Sequence, residues 1–252
     1  DALPIFPRGV RQEALIGPRG WRLAHYLAKS DGLFLFREIM SQERDVLLPL
    51  AEEGGKTLPY IASENKSLRV LRLSLQQVKR ADARLERHFH DRHLFYAVVE
   101  TGDLECVQLF FNIFSDQKSE LANVILDDTG LRAVLLAAKV GSLQILRLLV
   151  SEGANLKMED RNGDNALCHA LRAGASNVVS YLLEEHPATV VTSKALFTAA
   201  VEKDETFFIK MIGLNRSQSN LSQALLLAVR AHDTQAFLRL YRHGASLDYI
   251  AE

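Results

Sequence analysis

The densest set of side chains able to hold a metal ion is His88, His90 and His93, in the string RHFHDRH. On a helix, positions 88 and 90 point about 200° apart, so only an irregular segment turns both toward one ion. The plainer reading is a polar connection with Phe89 tucked inward, and no metal is expected. Cys168 and His169 supply a nucleophile and a base by type. Neighbours on a helix diverge by about 100°, which keeps their side chains from pairing easily, and packing accounts for both. In QQVKRADARLERHFHDR (76–92), Arg80, Arg84 and Arg87 share one helical face, with Lys79 and Arg92 close in sequence. Such a face suits a phosphate or an acidic partner, but Asp82, Glu86 and Asp91 interleave it, which favours a salt-bridged exposed helix. No G-x-S-x-G, H-E-x-x-H, G-x-x-x-x-G-K or G-x-G-x-x-G string occurs. Neither catalysis nor a cofactor is expected of these residues.

Composition narrows the class further. The chain has 252 residues, 48% of them hydrophobic, with few glycines and prolines, which suits a leucine-rich helical protein better than an all-β one. A formal net charge of −1 gives no field that draws nucleic acid or a membrane surface. No apolar run reaches a membrane-spanning length, so no membrane insertion is expected. The two cysteines, Cys106 and Cys168, have neither zinc nor C-x-x-C spacing. They read as small buried apolar sites in a reducing, cytoplasmic setting. The start DALPIFPRGVRQEAL lacks a signal-peptide pattern, and the end at Ile250-Ala251-Glu252 falls in mid-pattern. The chain therefore reads as an excerpt of a longer protein.

The elements that must position any site follow from an internal period. Gly130, Gly141 and Gly153 recur as Gly163, Gly174 and His186 at an offset of 33. A fixed period of this size signals a repeat architecture. Val134, Leu135, Ala137 and Ala138 line one short helix, and Ile145, Leu146, Leu148, Leu149 and Val150 a second, more apolar one. Gly141 between them and Gly153 after them supply turns with positive φ. A pair of helices about ten residues long cannot bury both faces, so each unit must lean on the next.

The strings GLRAVLLAAKVGSLQILRLLVSEGANLKMED (130–160) and GDNALCHALRAGASNVVSYLLEEH (163–186) resemble the ankyrin repeat. So do TLPYIASENKSLRVLRLSL (57–75), with Lys66 where glycine is usual, and GWRLAHYLAKSDGLFLFREIM (20–40), with His25 at the family's histidine and Asp31 at its turn glycine. LFYAVVETGDLECVQLFF, KALFTAAVEKDETFFIKMI and QALLLAVRAHDTQAFLRLYRHGASL complete the set. The resemblance implies an all-α ankyrin-repeat solenoid of about six to seven irregularly spaced helix-turn-helix units. These lie near 20–47, 53–76, 91–112, 127–158, 160–187, 192–214 and 221–249. Residues 1–19 form an N-terminal arm or cap, 20–250 the repeat domain, and insertions fall near 76–93 and 112–127. The family's threonine-proline entry to the first helix becomes Arg132-Ala133, Asn165-Ala166, Lys194-Ala195 or Gln223-Ala224, so weaker capping is expected there.

The resemblance also implies a concave groove that binds another protein. Carried over by register, its residues are Lys29, Glu64, Asn65, Glu100, Thr101, Lys139, Arg172, Glu202 and Arg230, with Asp128, Thr129, Leu131, Arg161, Asn162 and Asp164 on the hairpins. Trp21, the sole tryptophan, is a candidate anchor for a partner, or packs under residues 1–19. The expected function is a non-catalytic scaffold or adaptor whose affinity falls when Arg172 and Arg230 are reversed in charge. The alternative is the targeting region of a larger enzyme or secreted bacterial effector, which would place the chain in a host cytoplasm. Oligomeric state and the partner's identity do not follow from the sequence.

Overall fold

The structure is a computed structural model that describes residues 58–80, 92–202, 204–215 and 217–246. The chain divides into two compact units, Asp1–Asp116 and Gln117–Glu252. The described residues contain 14 α-helices and no strand, with one isolated bridge between Ile125 and Arg132. The all-α class expected from the period is what forms.

In the first unit, α1 (Leu58–Glu64) pairs with α2 (Leu68–Arg80), and α3 (Arg92–Glu100) with α4 (Leu104–Ile113). The two hairpins stack first helix on first and second on second. Within the second hairpin Phe95 of α3, Phe110 of α4 and Phe114 at its end pack together, with successive ring centroids 4.9 Å apart. Asp103 starts α4 by accepting from the Glu105 and Cys106 amides. The Lys79 ammonium, from the segment expected as a salt-bridged exposed helix, donates to the Ile113 carbonyl at 2.5 Å and to Asp116 at 3.1 Å. It caps the end of α4.

The second unit begins with α5 (Lys118–Asn123) and then runs α6 (Ala133–Val140), α7 (Leu143–Ser151), α8 (Ala166–Arg172) and α9 (Ser176–Glu185). It continues through α10 (Pro187–Val190), α11 (Ser193–Val201), α12 (Glu205–Leu214), α13 (Gln218–Arg230) and α14 (Thr234–Arg242). The first helices α6, α8, α11 and α13 pack against one another in series, while α7 and α9 pair behind them. Two columns of alanine make that close approach possible. Ala133, Ala166, Ala195 and Ala224 are each 0% exposed, and Ala137, Ala170, Ala199 and Ala228 at most 1%. Larger side chains would hold the backbones apart.

Four of the inner turns are built the same way. The backbone amides of Ser67, Ser142, Ala175 and Asp233 reach back to the carbonyls of Ala62, Ala137, Ala170 and Ala228. The residue before each takes a positive φ: Lys66 at 55°, Gly141 at 79°, Gly174 at 64° and His232 at 54°. Two non-glycine residues thus hold a glycine conformation, at a cost of about 1 kcal/mol or more each. At Gly141 an added Cβ would also meet the Ala175 Cβ at 3.3 Å.

Capping differs from expectation. Asn165, Thr192 and Ser217 each accept an amide of the helix they begin, because α11 and α13 start earlier than the repeat pattern places them. Of the four entries expected to be weakly capped, that of α6 at Arg132 is the one that lacks a side-chain cap. Between α9 and α11 no long hairpin intervenes; the single turn α10, with Pro187 at its start, makes the connection. The region near 112–127, expected as an insertion, contains α5, which packs on α6.

Candidate interaction groove

The hairpin tips of the second unit are organised by two aspartates at equivalent positions. One Asp127 carboxylate oxygen accepts from the amides of Thr129 at 2.9 Å and Leu131 at 3.0 Å. One Asp160 oxygen accepts from Asn162 at 2.8 Å and Asp164 at 3.0 Å. These bonds fold each tip onto its own backbone. For Asp127 burial pushes the pKa up, yet the Thr129 and Leu131 bonds and nearby Lys139 outweigh it and leave the carboxyl below its usual range. Adjacent tips are joined by the Arg161 amide, which donates to the Thr129 carbonyl at 2.9 Å. Gly130 permits that approach, since a Cβ there would lie 3.3 Å from the Arg161 nitrogen.

Behind the second tip, α8 carries a buried polar cluster. His169 Nε2 lies 3.2 Å from the other Asp160 oxygen, with the two side chains 12% and 4% exposed. Arg172 grips Asp164 with two hydrogen bonds of 2.5 and 2.9 Å. Burial holds the His169 pKa below its ordinary value although Asp160 and Asp164 pull it up, so the ring is neutral near pH 7. The pairing with Asp164 raises Arg172 further, despite partial burial. Burial pushes the Cys168 thiol up to about 11 and that of Cys106 to about 12. Neither thiol is a thiolate at neutral pH, and both are free and buried.

His169 therefore does not occupy an apolar packing position, as the register suggests; it is a hydrogen-bond partner of the hairpin. Sequence reasoning missed this pair because Asp160 and His169 lie nine residues apart, on a tip and a helix. The reader of the sequence has one signal, the spacing of Asp160, Asp164, His169 and Arg172 around a single helix start.

The expected groove residues fall into five groups. Lys139, Arg161, Asn162, Asp128, Thr129 and Arg230 are exposed in the second unit, with Glu202 half-buried. Glu64, Asn65 and Glu100 are exposed in the first, with Thr101 half-buried. Asn65 and Thr101 are already committed to the carbonyls of Ile61 and Val98. Leu131 is 4% exposed and Asp164 3%, so these two expectations are corrected: both belong to the packed interior and offer nothing to a partner. Arg172 is anchored to Asp164 rather than free, although 43% of its side chain remains exposed. Lys29, Trp21, His88 and His90 lie outside the described residues, as does the side chain of His93.

Beside the exposed cations lie apolar side chains that the expectation passed over. Val140 and Val201 are 39% and 43% exposed at the ends of α6 and α11. Phe197, one turn before Val201, is half-exposed, with the Lys194 ammonium 5.8 Å from its ring centroid. Among the described residues no three His, Cys, Asp or Glu could share a metal ion, and no helix is long and apolar enough to cross a membrane.

Residues 94–195 match the family described as ankyrin repeats (3 copies), repeats that generally serve as protein–protein interaction modules. The match covers α3 through the start of α11. No curated protein matches the chain.

Proposed function

Since this chain is an ankyrin-repeat protein, we propose that it binds a partner protein through the exposed ends of its first helices and adjoining hairpin tips, and does so without catalysis. The observation that carries this reading is a run of equivalent positions, Lys139, Arg172, Val201 and Arg230, projecting from four helices that pack in series. The row is held by its own packing and hydrogen bonds. Asp127 and Asp160 fix the tips, and the alanine columns fix the spacing, so little ordering entropy is lost on docking. In this reading the chain serves as a scaffold or adaptor in a cytoplasmic setting.

The chemistry of these side chains supports binding over reaction. The thiols are protonated at neutral pH, and the sole His–carboxylate contact described is spent on a hairpin. The test is capture of partners from a cell extract by the chain and by Lys139→Glu/Arg230→Glu. Both side chains are exposed, so the variant is expected to unfold at the parent temperature and to lose its specific partners. Undiminished capture by the folded variant would remove this face from consideration. Arg172→Glu is unsuited to the purpose, because it would set a carboxylate against the buried Asp164.

A further inference from the structure

The charges and apolar groups of the second unit bear on the partner's chemistry. The chain's formal net charge is −1, yet the row at the ends of α6, α8 and α13 carries Lys139, Arg172 and Arg230. The nearby carboxylates are largely turned to internal work. Asp164 is buried on Arg172, Asp160 is held by His169 and two amides, and Asp127 by Thr129 and Leu131. Glu202 is half-buried. Positive charge at Lys139 and Arg230 therefore faces outward, with Asp128 the exposed carboxylate of the neighbouring tip, while Asp127, Asp160 and Asp164 are held inward.

Between the cations the surface is apolar, at Val140, Phe197 and Val201. Helices in close contact lie about 8–10 Å apart, and a polyproline II segment advances about 3.1 Å per residue with three residues per turn. Every third side chain of such an extended segment points the same way and thus meets the next helix of the row. Resting on the groove reading above, we infer that the occupant is an acidic, aliphatic segment of a partner protein, with Asp or Glu recurring about every third residue and Val, Leu or Ile between. Aliphatic side chains cover the exposed valines, and carboxylates meet Lys139 and Arg230. A nucleic acid would satisfy the cations but leave the valines wet, in a chain with no basic excess.

The test is selection of a random 12-residue peptide display library on the immobilised full chain, followed by fluorescence anisotropy with the enriched peptides. The expected peptides are rich in Asp, Glu and aliphatic residues. Their binding should weaken about tenfold for Lys139→Glu/Arg230→Glu and again between 50 and 300 mM salt, as for solvent-facing charge pairs. Lys210→Glu, on α12, should bind as the parent does, and Lys139→Gln/Arg230→Gln should show the same direction if the reversal disturbs folding. Enriched peptides that are neutral or basic, yet lost on the double variant, would overturn the acidic chemistry and leave the groove. Peptides indifferent to the double variant would overturn both. No enrichment, or tighter binding of a labelled single-stranded oligonucleotide than of any peptide, would overturn the acidic segment alone.

Discussion

Asp164 and Arg172 form an unequal pair, because the carboxylate is 5% exposed and the guanidinium 43%. Removing the arginine strands a buried charge, whereas removing the aspartate frees an arginine that water can still reach. Arg172→Ala should therefore cost about 2–4 kcal/mol and Asp164→Ala about 1 kcal/mol in urea unfolding. Equal losses would contradict the geometry. His169 sets a second expectation. Its pKa is lowered in the fold, so the unfolded chain takes up the proton first as pH falls through the ordinary histidine range. Stability present above about pH 6.5 is then lost as pH falls toward the folded value. His169→Gln, which keeps a donor for Asp160, should flatten the stability profile between pH 7 and 5.5, with Asp160, Asp164 and Arg172 unchanged around it. Left-handed turns give a third. His232→Gly should raise stability by up to about 1 kcal/mol, while Gly141→Ala should cost more than Gly174→Ala, which meets nothing within 4 Å.

At the scale of elements, the inner helices depend on smallness at two positions per repeat. Ala170→Leu should cost at least about 1–3 kcal/mol, since α6 and α11 lie on either side of α8 and neither can move alone. Helix α11 shows how the fold proceeds where the turn glycine is missing. Its end follows an ordinary φ of −68° at Glu202, and Arg239 of α14 donates to the carbonyls of Ala200 at 2.9 Å and Glu202 at 2.5 Å. The same guanidinium pairs with Glu205 and stands 5.1 Å from the Phe208 ring centroid. The helix period and the turn positions were legible because alanine, leucine and a turn residue recur at fixed offsets. Arg239 was not legible, since its partners lie more than thirty residues away and no local pattern marks them. Helix starts were legible only in part, because Thr192 and Ser217 cap ahead of the residues the family pattern uses.

For the second unit taken whole, equivalent register positions are buried to different extents. Val229 is 44% exposed, while its equivalents Leu171 and Ala200 are 6% and 1%; Tyr241 is 61% exposed where Leu183 is 1%. The same register position thus contributes burial inside the stack and little at α13 and α14. Leu183→Ala should cost about 2–5 kcal/mol, and Tyr241→Ala well under half of that. The groove was readable as a stripe of positions but not as chemistry. Sequence could not tell that Leu131 and Asp164 turn inward, or that Val140 and Val201 stay out, because those depend on which neighbour each side chain meets.

The most direct measurement is site-specific photocrosslinking. A benzoylphenylalanine replaces either Val201, at the end of an inner helix, or Ile209, which is 53% exposed on α12. The account predicts that a specific partner protein is trapped from Val201 and not from Ile209. Trapping of the same partner from Ile209 alone would contradict it.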